Sequence, residues 1–224
     1  MKVFYPLLII LSVITVSFSD QQQKKSLGIK IGPYFSTIRY FVKDDGDKET
    51  HTFETKTSPS VSFCFELPQN RTIVHSFALN YYKNSGKETI SIPFYSQSYT
   101  VSLQYLGLGY NFKANAHFDR ITPYFLGGLM FDFLVSFDRD GYYSPFNPVN
   151  KIYPIDDDDV DPFTARAILG GGVEYNFDRV SVLLEYGFSY NLIPFYSWKN
   201  DDESVRYNYT AYGSTLSFGV KIPF

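Results

Sequence analysis

The sequence has one cysteine, one tryptophan, no basic cluster and, beyond its first residues, no apolar run of membrane-helix length, and each absence removes a class of protein. A single thiol, Cys64, forms no internal disulfide, so the disulfide-rich secreted scaffolds are excluded. The expectation for Cys64 is a small side chain in a strand interior. A formal charge of −3 without a basic stretch makes nucleic acid a poor partner. A helical span needs roughly 18 to 20 consecutive apolar residues, and none follows the N-terminal region. Yet 44% of the residues are hydrophobic, so the apolar content must be distributed in another form.

What is present begins with an export segment. Lys2 precedes an apolar stretch from Val3 to Val16, and Ser17-Phe18-Ser19 puts small residues where a signal peptidase reads. The stretch is short for a membrane anchor, and polar Asp20-Gln21-Gln22-Gln23 ends it. The expectation is a signal peptide over residues 1–19 and one domain over 20–224. In that domain 22 Phe and 20 Tyr stand against one Trp, a bias toward the pleated, half-buried surfaces of strands.

Period-two alternation, which sends successive side chains to opposite faces of a strand, sets the fold class. Near the C-terminus Tyr212, Ser214, Leu216, Phe218, Val220, Ile222 and Phe224 share one face, opposite Gly213, Thr215, Ser217, Gly219 and Lys221. Similar apolar sets are Val182, Leu184, Tyr186 and Phe188; Phe131, Phe133, Val135 and Phe137; and Tyr99, Val101, Leu103 and Tyr105. The pattern predicts eight strands near 27–41, 59–68, 72–83, 97–112, 121–137, 163–177, 180–192 and 208–224, apolar faces outward. A change of apolar phase between Tyr105 and Leu106 predicts a bulge in the fourth. Connections alternate between short ones (68–71, 113–120, 176–179) and long polar ones (42–58, 84–96, 138–162, 193–207). That alternation matches short periplasmic turns and longer external loops, with both termini periplasmic. Closing the sheet removes edges whose unpaired backbone groups would cost several kcal/mol each in lipid. The expected fold is all-β: an eight-stranded antiparallel transmembrane β-barrel, an up-and-down meander behind a cleavable signal peptide.

Eight strands leave an interior just wide enough for side chains to fill, which argues against a diffusion pore. Opposite the greasy faces lie Lys30, Glu66, Gln104, Asp132, Arg166, Glu174, Glu185 and Lys221. Buried ions must be paired, so a structural polar network is expected in the lumen, with Lys30, Lys221, Glu66 and Glu174 at the periplasmic end, Glu185 close above, and Asp132 with Arg166 higher. His51 in a long connection, His75 near a strand end and His117 in a short connection combine with no Ser and acid and share no strand position. No catalytic, cofactor or metal site is therefore expected. The run Asp156-Asp157-Asp158-Asp159 lacks the Gly spacing and terminal Glu of a calcium loop and reads as a solvated tip. A lipocalin-like soluble barrel would reverse the two faces, and a lipid-modifying enzyme would need a Ser, His and acid constellation at the rim.

The segments Tyr105-Leu106-Gly107-Leu108, Thr122-Pro123-Tyr124-Phe125-Leu126-Gly127-Gly128 and Leu169-Gly170-Gly171-Gly172-Val173-Glu174-Tyr175, with Val182 to Asn191 and the terminal Phe224, carry a family resemblance. The mature chain resembles the outer-membrane β-barrel "porin family" proteins of Bacteroidetes-type bacteria, small PorT-like and OmpX-like barrels. The resemblance implies an outer-membrane location and a barrel fold, with no conserved reaction. It implies a structural or surface-interaction role through external loops or, as the PorT-like members suggest, an accessory place in a secretion or transport assembly. The partners expected are outer-membrane lipid, an unidentified extracellular or secretion-system partner, and the barrel-insertion machinery. That machinery would read the terminal pattern Leu216, Phe218, Val220, Ile222 and Phe224.

Overall fold

The computed structural model describes residues 24–44, 47–92, 95–141, 160–199 and 205–224. The segment read as a signal peptide and the Asp156–Asp159 run lie outside these residues. Ten strand segments follow in order: β1 (Ser26–Asp44), β2 (Asp47–Thr52), β3 (Glu54–Pro68), β4 (Ile73–Ile92), β5 (Tyr95–Asn115), β6 (Ile121–Gly141), β7 (Phe163–Asn176), β8 (Ser181–Asn191), β9 (Tyr196–Lys199) and β10 (Val205–Pro223).

These ten segments make a ring of eight members. Each strand pairs antiparallel with the next, and β1 closes on β10 along its whole length, from Ser26 opposite Pro223 to Asp44 opposite Val205. β3 and β2 lie end to end along the other edge of β1, and β8 and β9 lie end to end along β10. The two interruptions have one cause. Phe53, between β2 and β3, and Phe195, just before β9, turn their rings into the interior, where both are almost completely buried. Their backbones stay tied to the wall: Phe53 N–H donates to Ile38 O at 2.9 Å and Phe195 N–H to Tyr209 O at 3.0 Å.

At one end, here the base, the connections are tight. Asn70 Oδ1 accepts from the N–H groups of Thr72 and Ile73, an Asx turn that joins β3 to β4. Asp119 takes a positive φ of 50° between β5 and β6, and Phe177 N–H donates to Val180 O between β7 and β8. Both described chain ends are here too, joined by Phe224 N–H to Lys25 O at 2.8 Å.

At the other end, the rim, the wall is taller than the sequence suggests. The stretches 42–58 and 84–96, read as loops, are mainly strand: β1, β2 and β3 cover most of the first, and β4 and β5 most of the second. Their polar composition comes from an outward face that meets water. Of the 138–162 stretch, also read as a loop, the first residues to Gly141 belong to β6, and 142–159 lie outside the described residues.

The bulge also moves. β5 keeps one phase throughout, and the extra residue is Val135 of β6: Gln104 pairs with Ser136 and Tyr105 with Leu134. Tyr99, Val101, Leu103 and Tyr105, read as outward, therefore face the interior, where the last three are essentially unexposed. Phe137, beyond the bulge, also packs against that core. Gln104 is correspondingly outside, accepting from Tyr81 O–H at 2.7 Å.

The wall thus wears two patterns. Toward the base its outside is apolar, with Leu27, Ile29 and Ile31 on β1, Phe125 and Phe131 on β6, and Leu216, Phe218 and Ile222 on β10 all exposed. Toward the rim the apolar side chains are within: Tyr34, Ile38, Tyr40, Phe53, Tyr82, Val101, Leu103, Tyr105, Phe195 and Tyr209 form one buried cluster.

Candidate functional site: the barrel interior

The lowest layer of the interior is a closed square of charge. Lys221 of β10 places Nζ 2.6 Å from both Glu66 Oε2 and Glu174 Oε2, while Lys113 Nζ lies 2.7 Å from Glu66 Oε1 and 2.6 Å from Glu174 Oε1. The corners come from β3, β5, β7 and β10, every second member of the ring, and alternate in sign around it. Each lysine serves two carboxylates and each carboxylate two lysines. Gly28, opposite Lys221, makes this possible: a Cβ there would stand 2.7 Å from the lysine Cγ.

The next layer uses the intervening strands. Lys30 of β1 pairs with Glu185 of β8 at 2.6 Å, and Tyr124 of β6 donates its hydroxyl to the other oxygen of Glu185 at 2.8 Å. The Lys113 ammonium sits 4.0 Å from the centre of the Tyr124 ring, which joins the two layers.

Higher still, Arg166 of β7 reaches Asp132 of β6, whose carboxylate is fully buried. The guanidinium also lies 3.8 Å from the centre of the Tyr82 ring and donates to Ser189 Oγ at 3.3 Å. Between this layer and the Lys30–Glu185 pair is a cavity of about 80 Å³ lined by Tyr34, Asn111 and Ser62 among others. Above Arg166 the aromatic cluster fills the barrel. There Glu88 accepts hydroxyl hydrogen bonds from Tyr40 and Tyr99.

Of the residues singled out in the sequence, Lys221, Glu66 and Glu174 meet in one layer, Lys30 and Glu185 in a second, and Asp132 and Arg166 in a third. Lys30 does not join the square; its corner is held by Lys113, which sequence reasoning left in a turn because β5 runs further than its apolar pattern. Four cations and four carboxylates then balance inside the wall, each within 2.7 Å of an opposite charge. These ion pairs tie seven of the eight ring members to one another and leave no ion of the three layers free to bind a charged solute.

The histidines are dispersed. His51 lies in β2, not a loop, stacked on Tyr40 and 3.5 Å from Glu49. His75 contacts Tyr110 and Gln69 at the base, and His117 contacts Thr122 and the Arg71 carbonyl. Among the described residues no three His, Cys, Asp or Glu side chains are grouped to hold a metal.

No family model matches the chain, and no curated protein matches it. Solved structures do. The outer membrane protease OmpT of Escherichia coli is similar in fold, with a TM-score of 0.50 and 8% identity over 94% of this chain and 100% of that one. The Neisserial surface protein A is similar at a TM-score of 0.41 and 12% identity, over 90% and 100% of the two chains. The N-terminal β-barrel domain of OprF from Pseudomonas aeruginosa follows at 0.37 and 12%, over 88% and 100%. The first of these establishes that the ring has the fold of an outer-membrane β-barrel.

Proposed function

We propose that the chain is a non-enzymatic bacterial outer-membrane barrel, base and both termini toward the periplasm, whose lumen is a structural plug and whose rim interacts with the surroundings. The observation that carries this reading is the stacking of three neutralised charge layers beneath an aromatic cluster, inside a wall whose lower outside is apolar. An apolar outside with a polar inside suits lipid, and a filled inside suits neither diffusion nor ligand storage. The export segment over 1–19 and the terminal Phe224 fit the same route to the membrane.

Fractionation tests location: the protein should sediment with outer membranes, require detergent, and migrate faster on gels unheated than boiled. Complete recovery in a soluble periplasmic fraction would refute it. In planar bilayers the purified barrel should show no porin-like conductance steps. The PorT-like resemblance supports a narrower alternative, an accessory component of a secretion assembly. Mild crosslinking separates the two readings, since an assembly component brings a constant set of partners.

A further inference from the structure

Above the three neutral layers one inward carboxylate is left over. Glu88 of β4 stands two residues above Gly86, whose inner side is covered by Phe53, and among the described residues no Lys, Arg or His lies within ion-pairing distance of it. Phenols hold it instead. Tyr40 of β1 donates its hydroxyl to Oε1 at 3.1 Å, and Tyr99, directly opposite on β5, donates to Oε2. A third phenol, Tyr209 of β10, is directly opposite Tyr40 and stacks on it with ring centres 4.8 Å apart. Tyr209 is 1% exposed, yet its hydroxyl has no hydrogen-bond partner. Burial, and after it the neighbouring Tyr40 and Glu88, push that hydroxyl above its ordinary range; burial, Glu88 and Tyr209 do the same to Tyr99, so the four groups share one neighbourhood.

The surrounding charges supply no counterion. Lys87 precedes Glu88 on the strand and so faces the outside by alternation. Arg139 of β6 is one step lower, in the row of Gly86 and Val101, and forms no ion pair with Glu88. Glu49 of β2, in the inner row of Val42 and Tyr207 and 3.5 Å from His51, adds negative charge on the same side of the mouth. The phenols are fixed in place: His51 stacks on the far side of Tyr40 at 4.7 Å, and Phe53 stands edge-on to both Tyr40 and Tyr99. A phenol that gives its proton to Glu88 keeps its lone pairs, so the carboxylate and the hydroxyls of Tyr40 and Tyr99 form a set of acceptors carrying one negative charge. That set is too poor in charge and in oxygens for a divalent metal, which takes six or more oxygen ligands. A quaternary ammonium needs open ring faces, and those of Tyr40 are taken by His51 and Tyr209.

We infer that Glu88, Tyr40, Tyr99 and Tyr209 form a site at the barrel mouth for a primary ammonium group, whose N–H donors meet the carboxylate and the phenol oxygens. Access is through Glu88 and Tyr99, which are partly exposed, while Tyr40 and Tyr209 form the buried wall. The inference deepens the rim-interaction reading above and rests on it for the side from which the amine arrives. A free alkylamine and a lysine side chain carry the same group, and the test separates them.

The full chain, refolded in detergent, is titrated at constant ionic strength with n-butylammonium, with a short lysine peptide and with the same peptide acetylated on its lysine. Calorimetry reads the binding, and amide shifts of Glu88, Tyr99 and Tyr209 locate it. Saturable binding that moves those amides is expected. E88Q should weaken it roughly tenfold, as for a lost charge-assisted contact, and Y209F should weaken it severalfold, with the gel mobility of the folded barrel unchanged in both. If E88Q does not fold, Y209F decides. No saturable binding overturns the proposal, as does wild-type affinity in either folded variant. Tetramethylammonium or Mg²⁺ binding as tightly as butylammonium also overturns it. Binding of the lysine peptide but not its acetylated form supports a protein-borne amine; binding of butylammonium alone supports a free one. A lysine peptide that binds the detergent-held protein but not intact cells would leave the site standing and overturn the outward orientation of the rim.

Discussion

Arg166 and Asp132 meet fork to fork although they are not opposite each other: Arg166 is paired with Met130 and Asp132 with Thr164, so the guanidinium reaches diagonally. Its Nε donates to Oδ2 at 2.6 Å and its Nη2 to Oδ1 at 3.2 Å. The diagonal is open because residue 107, opposite Asp132, is glycine; a Cβ there would collide with Asp132 Oδ1.

Removing one partner of a buried pair strands the other, at a typical cost of about 3 to 5 kcal/mol. Arg166→Ala should destabilise the barrel by that order, and adding Asp132→Asn should recover part of it. Unfolding in detergent or lipid of both singles and the double measures the coupling; strictly additive effects would mean the two residues do not interact.

The square at the base makes a parity prediction. Lys113→Met leaves two carboxylates to one lysine and Glu174→Gln leaves two lysines to one carboxylate, so each alone costs several kcal/mol. The double variant restores neutrality and should be more stable than at least one single. Denaturant midpoints decide it, and a double variant weaker than both singles would show that charge balance does not govern this layer.

How much of this was legible in the sequence depended on height. Near the base, alternation put Lys30, Glu66, Glu174 and Lys221 on the face opposite Leu27, Phe65, Val173 and Ile222; the register carries the last three into contact and sets Lys30 one layer higher, on Glu185. Near the rim the same signal misled. Alternation in Tyr99, Val101, Leu103 and Tyr105 shows that two faces differ, but not which one meets water, and here the apolar face is inside. The stretches 42–58, rich in Lys, Asp and Thr, and 84–96, rich in Ser, looked like loops because a strand in water wears its polar residues outward. Nothing in the sequence around Phe53 or Phe195 announces that these rings break a strand to fill a core.

That core should be separable from the charged layers. Phe195→Ala removes a fully buried ring from the rim cluster, a change that typically costs about 3 to 5 kcal/mol. Hydrogen exchange should speed up in β9 and the first half of β10 while amides beside Glu66 and Glu174 stay protected. Uniform acceleration along every strand would show that the barrel opens as one unit.

At the C-terminus Phe224 stacks on Phe65, with ring centres 6.4 Å apart, while its N–H closes the ring on Lys25. We expect deletion of Phe224 to lower the amount in the membrane and expose the chain to periplasmic proteolysis, whereas Phe224→Tyr should insert normally. Pulse-labelled membrane fractions compare the two, and equal insertion of the deletion variant would remove the terminal pattern from the assembly signal.

The extra residue Val135 gives the wall a waterline. Below it β6 exposes Phe131 and Phe133 on the outside of the wall; above it Phe137 has turned inward. A barrel with one outer surface from end to end can bob in a bilayer at little cost. On the proposed membrane reading this one cannot, because sinking brings no new apolar strip into lipid and drowns the exposed Lys43 and Lys48, while rising strips Phe131 and Phe133 of lipid. One inserted residue thus acts as a draught mark, fixing how far the rim stands clear of the membrane and at what height its cations meet whatever lies there.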